Sequence, residues 1–173
     1  MDPDVDADYT TYVRARWDAL VRSAVLLGCS RAEAEDIVQT TLVRCYSGWA
    51  KVQSADVPDA YVYRTLVNCL AKSRRRRWSA EIPTKALPDR SVDDPADAIA
   101  QRASVLAALS ALTDAQRAAV VLRYFADLSE RQVADALGIP AGTVKSRLSR
   151  GLEQLGQHLG EADADEARRE SPC

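Results

Sequence analysis

Five residues in the segment PDAYVYRTLVNCLAKSRRRRW stand three or four positions apart: Tyr61, Arg64, Asn68, Lys72 and Arg75. On a helix this spacing lines up an aromatic ring, an amide and three cations along one face. Backbone phosphates attract the cations. Unstacked bases offer their faces to the ring and their edges to the amide. The run Arg74 to Arg77 and Trp78 follow directly. Consecutive arginines at a helix end are favourable as a solvated basic terminus, which accounts for Arg76 and Arg77. It does not account for the Arg64–Asn68–Lys72 row. A second segment, SERQVADALGIPAGTVKSRLSRGLEQL, has the spacing of a helix-turn-helix. Ala134 is the small residue at the helix crossing and Gly138 makes the turn. Val133, Leu137, Ile139 and Val144 surround them with apolar groups. Along its last helix, Val144, Leu148, Leu152 and Leu155 fall on one stripe. Ser146, Ser149 and Arg150 point away from that stripe, with Lys145 and Arg147 on its flanks. Such a face suits a major groove, where Arg and Lys reach guanine edges or phosphates and Ser contacts either. No acid interrupts it before Glu153, whereas a face made only for solubility mixes signs.

A third feature is the segment AEDIVQTTL. Ala34, Val38, Thr41, Leu42, Cys45 and Trp49 form its inward stripe. Asp36, Gln39, Thr40 and Val43 lie opposite, as a patch on which another protein could dock. Nothing else points to chemistry. No catalytic residue set, cofactor site or metal site is expected, and the chain is not read as an enzyme. The four cysteines, Cys29, Cys45, Cys69 and Cys173, form no CxxC pair, and His158 is the single histidine. Zinc needs four such ligands at short spacing. Cys45 and Cys69 read as small apolar core residues of a reducing compartment. Cys29 stands at a helix boundary. No run of about 18 apolar residues occurs, so no membrane span is expected. The acidic start MDPDVDADYT is unlike a signal peptide, and the expected location is cytoplasmic. The net charge of −2 conceals a partition. Residues 1–80 carry +2, 81–100 carry −3, 101–158 carry +2 and 159–173 carry −3. Phosphates respond to the local basic faces rather than to the total.

Helices must position these groups. Ala and Leu are abundant, and few segments alternate with a strand period, so the chain is expected to be all-α. A first helix spans about Tyr9 to Leu27. Ser30-Arg-Ala-Glu33 is a capping box opening a second helix to about Trp49. Pro58 suits the first turn of a third, which runs through Arg77. Periodicity then stops, and Pro83, Pro88 and Pro95 stand among Asp and Ser. A fourth helix follows to about Leu109. Thr113-Asp-Ala-Gln116 and Ser129-Glu-Arg-Gln132 are capping boxes for a fifth and a sixth, and a seventh covers about Ala141 to Leu159. The expected organisation is one small helical domain over 9–78, a flexible linker over 79–94, a second domain over 95–159 and a disordered acidic tail over 160–173. Such a tether predicts two domains that move independently.

Taken together, AEDIVQ, PDAY...LVNCLAKSRRRR and ALTDAQRAAVVLRYFADLSERQVADALGIPAGTVKSRLSR, in this order and with no middle domain, resemble the extracytoplasmic-function (ECF) group of sigma-70 family factors, in particular the actinobacterial SigE-like type. The resemblance covers about residues 9–80 and 100–158. It implies a promoter-recognition subunit that works when bound to core RNA polymerase. Residues 9–80 would be region 2, with Asp36 and Gln39 matching the polymerase-contact motif. The third helix and the preceding Lys51 to Val57 loop would hold the minus-ten element and capture a flipped base. Arg64, Asn68 and the basic run, including Arg74 and Arg75, match DNA-facing positions. In region 4, Thr143, Lys145, Ser146, Arg147 and Arg150 match the positions that read the minus-thirty-five element. Thr40 and Leu42 depart from the Glu and Phe that many members carry there. Control by a separate anti-sigma factor is expected rather than by an appended domain. The alternatives are a stand-alone helix-turn-helix DNA-binding transcription regulator and a protein-interaction adaptor with solubilising basic ends.

Overall fold

The computed structural model describes residues 3–79 and 96–169, with side chains over 5–76 and 103–158. These residues form eight helices and, among them, no strand. The first lobe holds α1 (Pro3–Leu26), α2 (Arg31–Tyr46), α3 (Trp49–Gln53) and α4 (Pro58–Ser79). The second holds α5 (Ala96–Ser110), α6 (Asp114–Tyr124), α7 (Glu130–Leu137) and α8 (Ala141–Arg169). No described helix is long and apolar enough to cross a membrane.

Helix starts follow the local chemistry. Ser30, Thr113 and Ser129 each accept a hydrogen bond from the backbone N–H three residues on, and Glu33, Gln116 and Gln132 reciprocate. Each box satisfies two N–H groups that a helix end would otherwise leave bare. At the other end of α7, Gly138 adopts φ +65°. The amides of Gly138 and Ile139 both donate to the Ala134 carbonyl, closing the turn into α8.

The second and last helices end differently from expectation, and the first starts earlier, at Pro3 rather than near Tyr9. The second helix breaks after Tyr46, and Trp49 belongs to the separate short α3, for which Gly48 is the N-cap residue. Trp49 still reaches the core: its ring lies 5.2 Å from that of Tyr9 and 5.1 Å from that of Tyr12. The early start of α1 explains how. Asp8 Oδ2 accepts from Trp49 Nε1 at 3.1 Å and from Gln53 Nε2 at 2.6 Å, and Asp6 accepts from the Tyr46 hydroxyl at 2.7 Å. The other helix to end differently is α8. It continues to Arg169, where a disordered tail was expected after Gly160. Extending a formed helix through Ala, Glu and Arg carries no nucleation cost. The linker expected over 79–94 falls, apart from Ser79 at the end of α4, outside the described residues, as do the last four residues.

At the centre of the first lobe lies α4. Val62, Leu66 and Leu70 are buried against α1 and α2, with Tyr63 and Cys69 beside them. Cys45 is buried as well, and burial pushes its thiol pKa up. In the second lobe Val144 and Leu148 are buried as expected, but Leu152 is 44% exposed. Gly151 takes the inward position instead: a Cβ there would stand 3.0 Å from Val120 Cγ2. Leu66→Ala should therefore cost about 2–5 kcal/mol of stability. Leu152→Ala should cost less than about 1 kcal/mol. Urea unfolding of the two variants compares them directly.

Candidate nucleic-acid interface

Burial of one side of α4 leaves its opposite side free. Tyr61, Arg64, Asn68, Lys72 and Arg75 are all exposed and share that side. The start of this helix is anchored at Asp59, which accepts from the Tyr12 hydroxyl at 2.8 Å and pairs with Arg16 at 2.6 Å. Burial first, then this hydrogen bond, raises the Tyr12 pKa and keeps it a neutral donor. Thr65 Oγ1 bonds back to the Tyr61 carbonyl at 3.0 Å, so it is occupied on its own helix. The segment before α4, expected as a loop from Lys51, is partly helical: Lys51 to Gln53 lie in α3, and residues 54–57 form the loop.

Arg74 differs from its neighbours. The family resemblance places it with the DNA-facing cations, but its guanidinium turns to a carboxylate of the second lobe and a carbonyl of its own lobe. Nη1 lies 3.1 Å from Asp114 Oδ2, and Nη2 donates to the Leu27 carbonyl. Arg76 is exposed, while the side chains of Arg77 and Trp78 lie outside those described.

In the second lobe, α7 and α8 cross with Val133, Ala134 and Val144 buried between them and their surroundings. Lys145, Ser146, Ser149 and Arg150 are exposed on α8, and Thr143 and Arg147 are half-buried on its edges. Ser146 Oγ rests 3.0 Å from the Thr143 carbonyl, which ties the two together near the helix start. The cations and hydroxyls thus form one outward face at the N-terminal half of α8, the end from which a recognition helix contacts base edges.

A third exposed set lies on α2. Asp36, Gln39, Thr40 and Val43 all face outward, and Val43 is 60% exposed. Gln39 and Val43 border an apolar groove with Tyr9, Val13, Trp17 and Leu42. Val43 is therefore part of a continuous patch rather than a lone surface valine. Spacing on one helix missed this groove because α1 supplies half of it. It also missed Tyr124 and Phe125, which are 55% and 44% exposed at the end of α6. The Arg123 guanidinium lies 5.6 Å from the Tyr124 ring centre. Among the described residues, no cluster of His, Cys, Asp or Glu could hold a metal ion.

The comparisons with known proteins agree with this geometry. Residues 11–80 match sigma-70 region 2, and residues 102–155 match sigma-70 region 4. The RNA polymerase sigma-E factor of Streptomyces avermitilis is 42% identical over 158 residues, covering 91% of this chain and 88% of that one. The ECF RNA polymerase sigma factor SigL of Mycobacterium tuberculosis is 32% identical, covering 86% and 90%. A solved structure of the Bartonella quintana sigma factor RpoE, in complex with the anti-sigma factor NepR, shares the fold. Its TM-score is 0.72 at 24% identity, over 88% of this chain and 97% of that one. The chain belongs to the sigma-70 family of RNA polymerase sigma factors, in its ECF group.

Exposure separates the two arginines of α8. Arg150, outward beside Ser146 and Ser149, is expected to reach base edges, and half-buried Arg147 to meet phosphate. Arg150→Ala should relax preference at a single base position, at a cost of about 1–3 kcal/mol there. Arg147→Ala should weaken all sequences alike and reduce the salt dependence by about one counterion. Binding to duplexes carrying single-base changes, at two salt concentrations, reads both effects.

Proposed function

We propose that the three exposed faces divide the work of promoter recognition among them. The outer face of α2, with Asp36, Gln39, Thr40 and Val43, docks on core RNA polymerase. The Tyr61–Arg64–Asn68–Lys72–Arg75 side of α4 engages the minus-ten element and assists strand opening. Thr143, Lys145, Ser146, Arg147 and Arg150 read the minus-thirty-five element. The protein has no catalysis of its own, acts in the cytoplasm beside polymerase, and is controlled by a separate anti-sigma factor. The domains are then 9–78 for region 2 and 95–159 for region 4. The observation that carries this reading is the exposed row on α4. It combines an aromatic ring and an amide with cations, which a duplex-binding surface alone does not require.

The test is reconstitution. Mixed with core polymerase lacking any sigma factor, the protein should support promoter-dependent transcripts. A stand-alone regulator would bind promoter DNA without polymerase and yield none. Asp36→Arg combined with Gln39→Ala should lower affinity for core polymerase at least tenfold while the helical circular dichroism stays unchanged. Unaltered affinity would remove this face as the dock. Asn68→Ala should reduce open-complex formation more than closed-complex binding, since an amide reads a base edge but adds no charge. Permanganate reactivity of unpaired thymines, set beside footprinting of the closed complex, separates the two steps.

A further inference from the structure

Arg44 is a cation of α2 that none of the three faces above includes. It is exposed near the end of the helix. A rotation of about 100° per residue puts it between the Asp36–Gln39–Thr40–Val43 face and the buried stripe. Its Nη1 donates to the Cys69 Sγ of α4 at 3.2 Å. Next to it in sequence, the Cys45 thiol shares a hydrogen bond with the Thr65 side chain. Neighbouring residues of α2 thus meet two residues of α4 one turn apart, which fixes where the helices cross. Cys69 is 5% exposed and stands at the margin of the polar row. Asn68 precedes it, and Lys72 is its neighbour three residues on, about 5–6 Å away between Cβ atoms.

Two features make this contact more than packing. Thiol sulfur is a weak acceptor, so it sets the direction of the guanidinium and leaves most of its donors and charge for another partner. Arg74 shows the opposite case, in which a carboxylate offsets the charge. The second feature is the placing of acids along these helices. Those of α2, Glu33, Glu35 and Asp36, stand two or more turns before Arg44. The short α3 carries none, and the single acid of α4, Asp59, lies in its first turn.

We propose that Arg44 is a further nucleic-acid contact, a phosphate-binding cation that widens the α4 row onto α2, with Cys69 as the residue that positions it. This rests on the promoter reading of α4 above. A row on one helix is one side chain wide and follows a line. A cation held beside it by the neighbouring helix lets a single-stranded sugar-phosphate chain be gripped at the edge of the row while its bases reach Tyr61 and Asn68. Arginine suits the place better than lysine, because its planar fork donates to sulfur and to phosphate at the same time.

Holoenzyme reconstituted from core polymerase and the full chain tests this on a fork-junction probe whose minus-ten strand is unpaired. Arg44→Ala should weaken probe binding about two- to fivefold and lower the slope of log affinity against log salt by about 0.7, the share of one single-strand phosphate. Its affinity for core polymerase and its melting temperature should match the wild type. Arg44→Lys should restore the slope but only part of the affinity. Cys69→Ala should weaken binding with an unchanged slope, since the charge stays but loses its direction. Cys69→Ser, which keeps an acceptor, should bind like the wild type. Wild-type binding by Cys69→Ala would remove Cys69 from the positioning role. Lys72→Ala is the reference. If it lowers the slope and Arg44→Ala does not, this inference alone is overturned. If neither lowers it, the reading of α4 as a nucleic-acid face falls as well. Loss of core affinity in Arg44→Ala would assign the residue to the polymerase dock. A lower melting temperature with an unchanged slope would make its bond to Cys69 a packing contact. Either result overturns the proposal.

Discussion

The burial of α4 is the constraint on which the remaining structure depends. It meets α1, α2 and α3 within its own lobe and α7 from the other. A helix so enclosed has one side left for solvent, and the side chains there are fixed by elimination. Tyr61, Arg64, Asn68, Lys72 and Arg75 occupy that side. The fully buried Val62 and Leu66 hold the rotation of the helix, and a single-residue change in register would swing this row by about 100° into the core. Position is held as firmly as rotation. Arg16 and Tyr12 grip Asp59 at the first turn, while Arg74 grips Leu27 and Asp114 further along. The polar row owes its precision to the apolar residues behind it.

Local chemistry was largely legible from the sequence. Three capping boxes and the turn at Gly138 involve residues three to five apart, so their geometry is written in the spacing itself. The exposed row of α4 and the outward face of α8 were legible for the same reason: helical periodicity assigns faces without knowledge of the partner. Leu152 shows where that logic weakens. A stripe drawn from Val144 drifts around the helix, and by the third turn Leu152 and Gly151 compete for the inward position. The neighbour at that level is Val120, close enough that a glycine fits where a larger residue would crowd it. Periodicity favours the leucine by its hydrophobicity and cannot weigh the distance to another helix.

What remained hidden depends on pairs far apart in sequence. Asp6 and Asp8 looked like a plain acidic terminus. They are acceptors for Tyr46, Trp49 and Gln53, some forty residues away. The break at Gly48 was hidden for a related reason. Trp49 continues the inward pattern of α2 even though it sits on a new helix, because α1 reaches far enough to meet it there. The groove between α1 and α2 and the seam between the lobes likewise need two surfaces, and periodicity describes one at a time.

The same distinction governs the charges. Arg74 and Arg75 are adjacent and chemically identical, and no reading of composition separates them. A rotation of about 100° between neighbours does. It turns Arg74 toward a carbonyl and a carboxylate of its own chain and leaves Arg75 in solvent. Arg117 is likewise occupied by the carbonyls of Leu109, Ser110 and Leu112. Several acids are occupied too, Asp59 by Arg16 and Asp6 and Asp8 by hydroxyl, indole and amide donors. The charges that act on a ligand are those left over after such internal pairing. On α4 and the first half of α8 the remainder is positive, although the whole chain carries −2. A polyanion approaching either face meets that remainder at short range, while the acids elsewhere on the chain are largely screened beyond about 8–10 Å of salt solution.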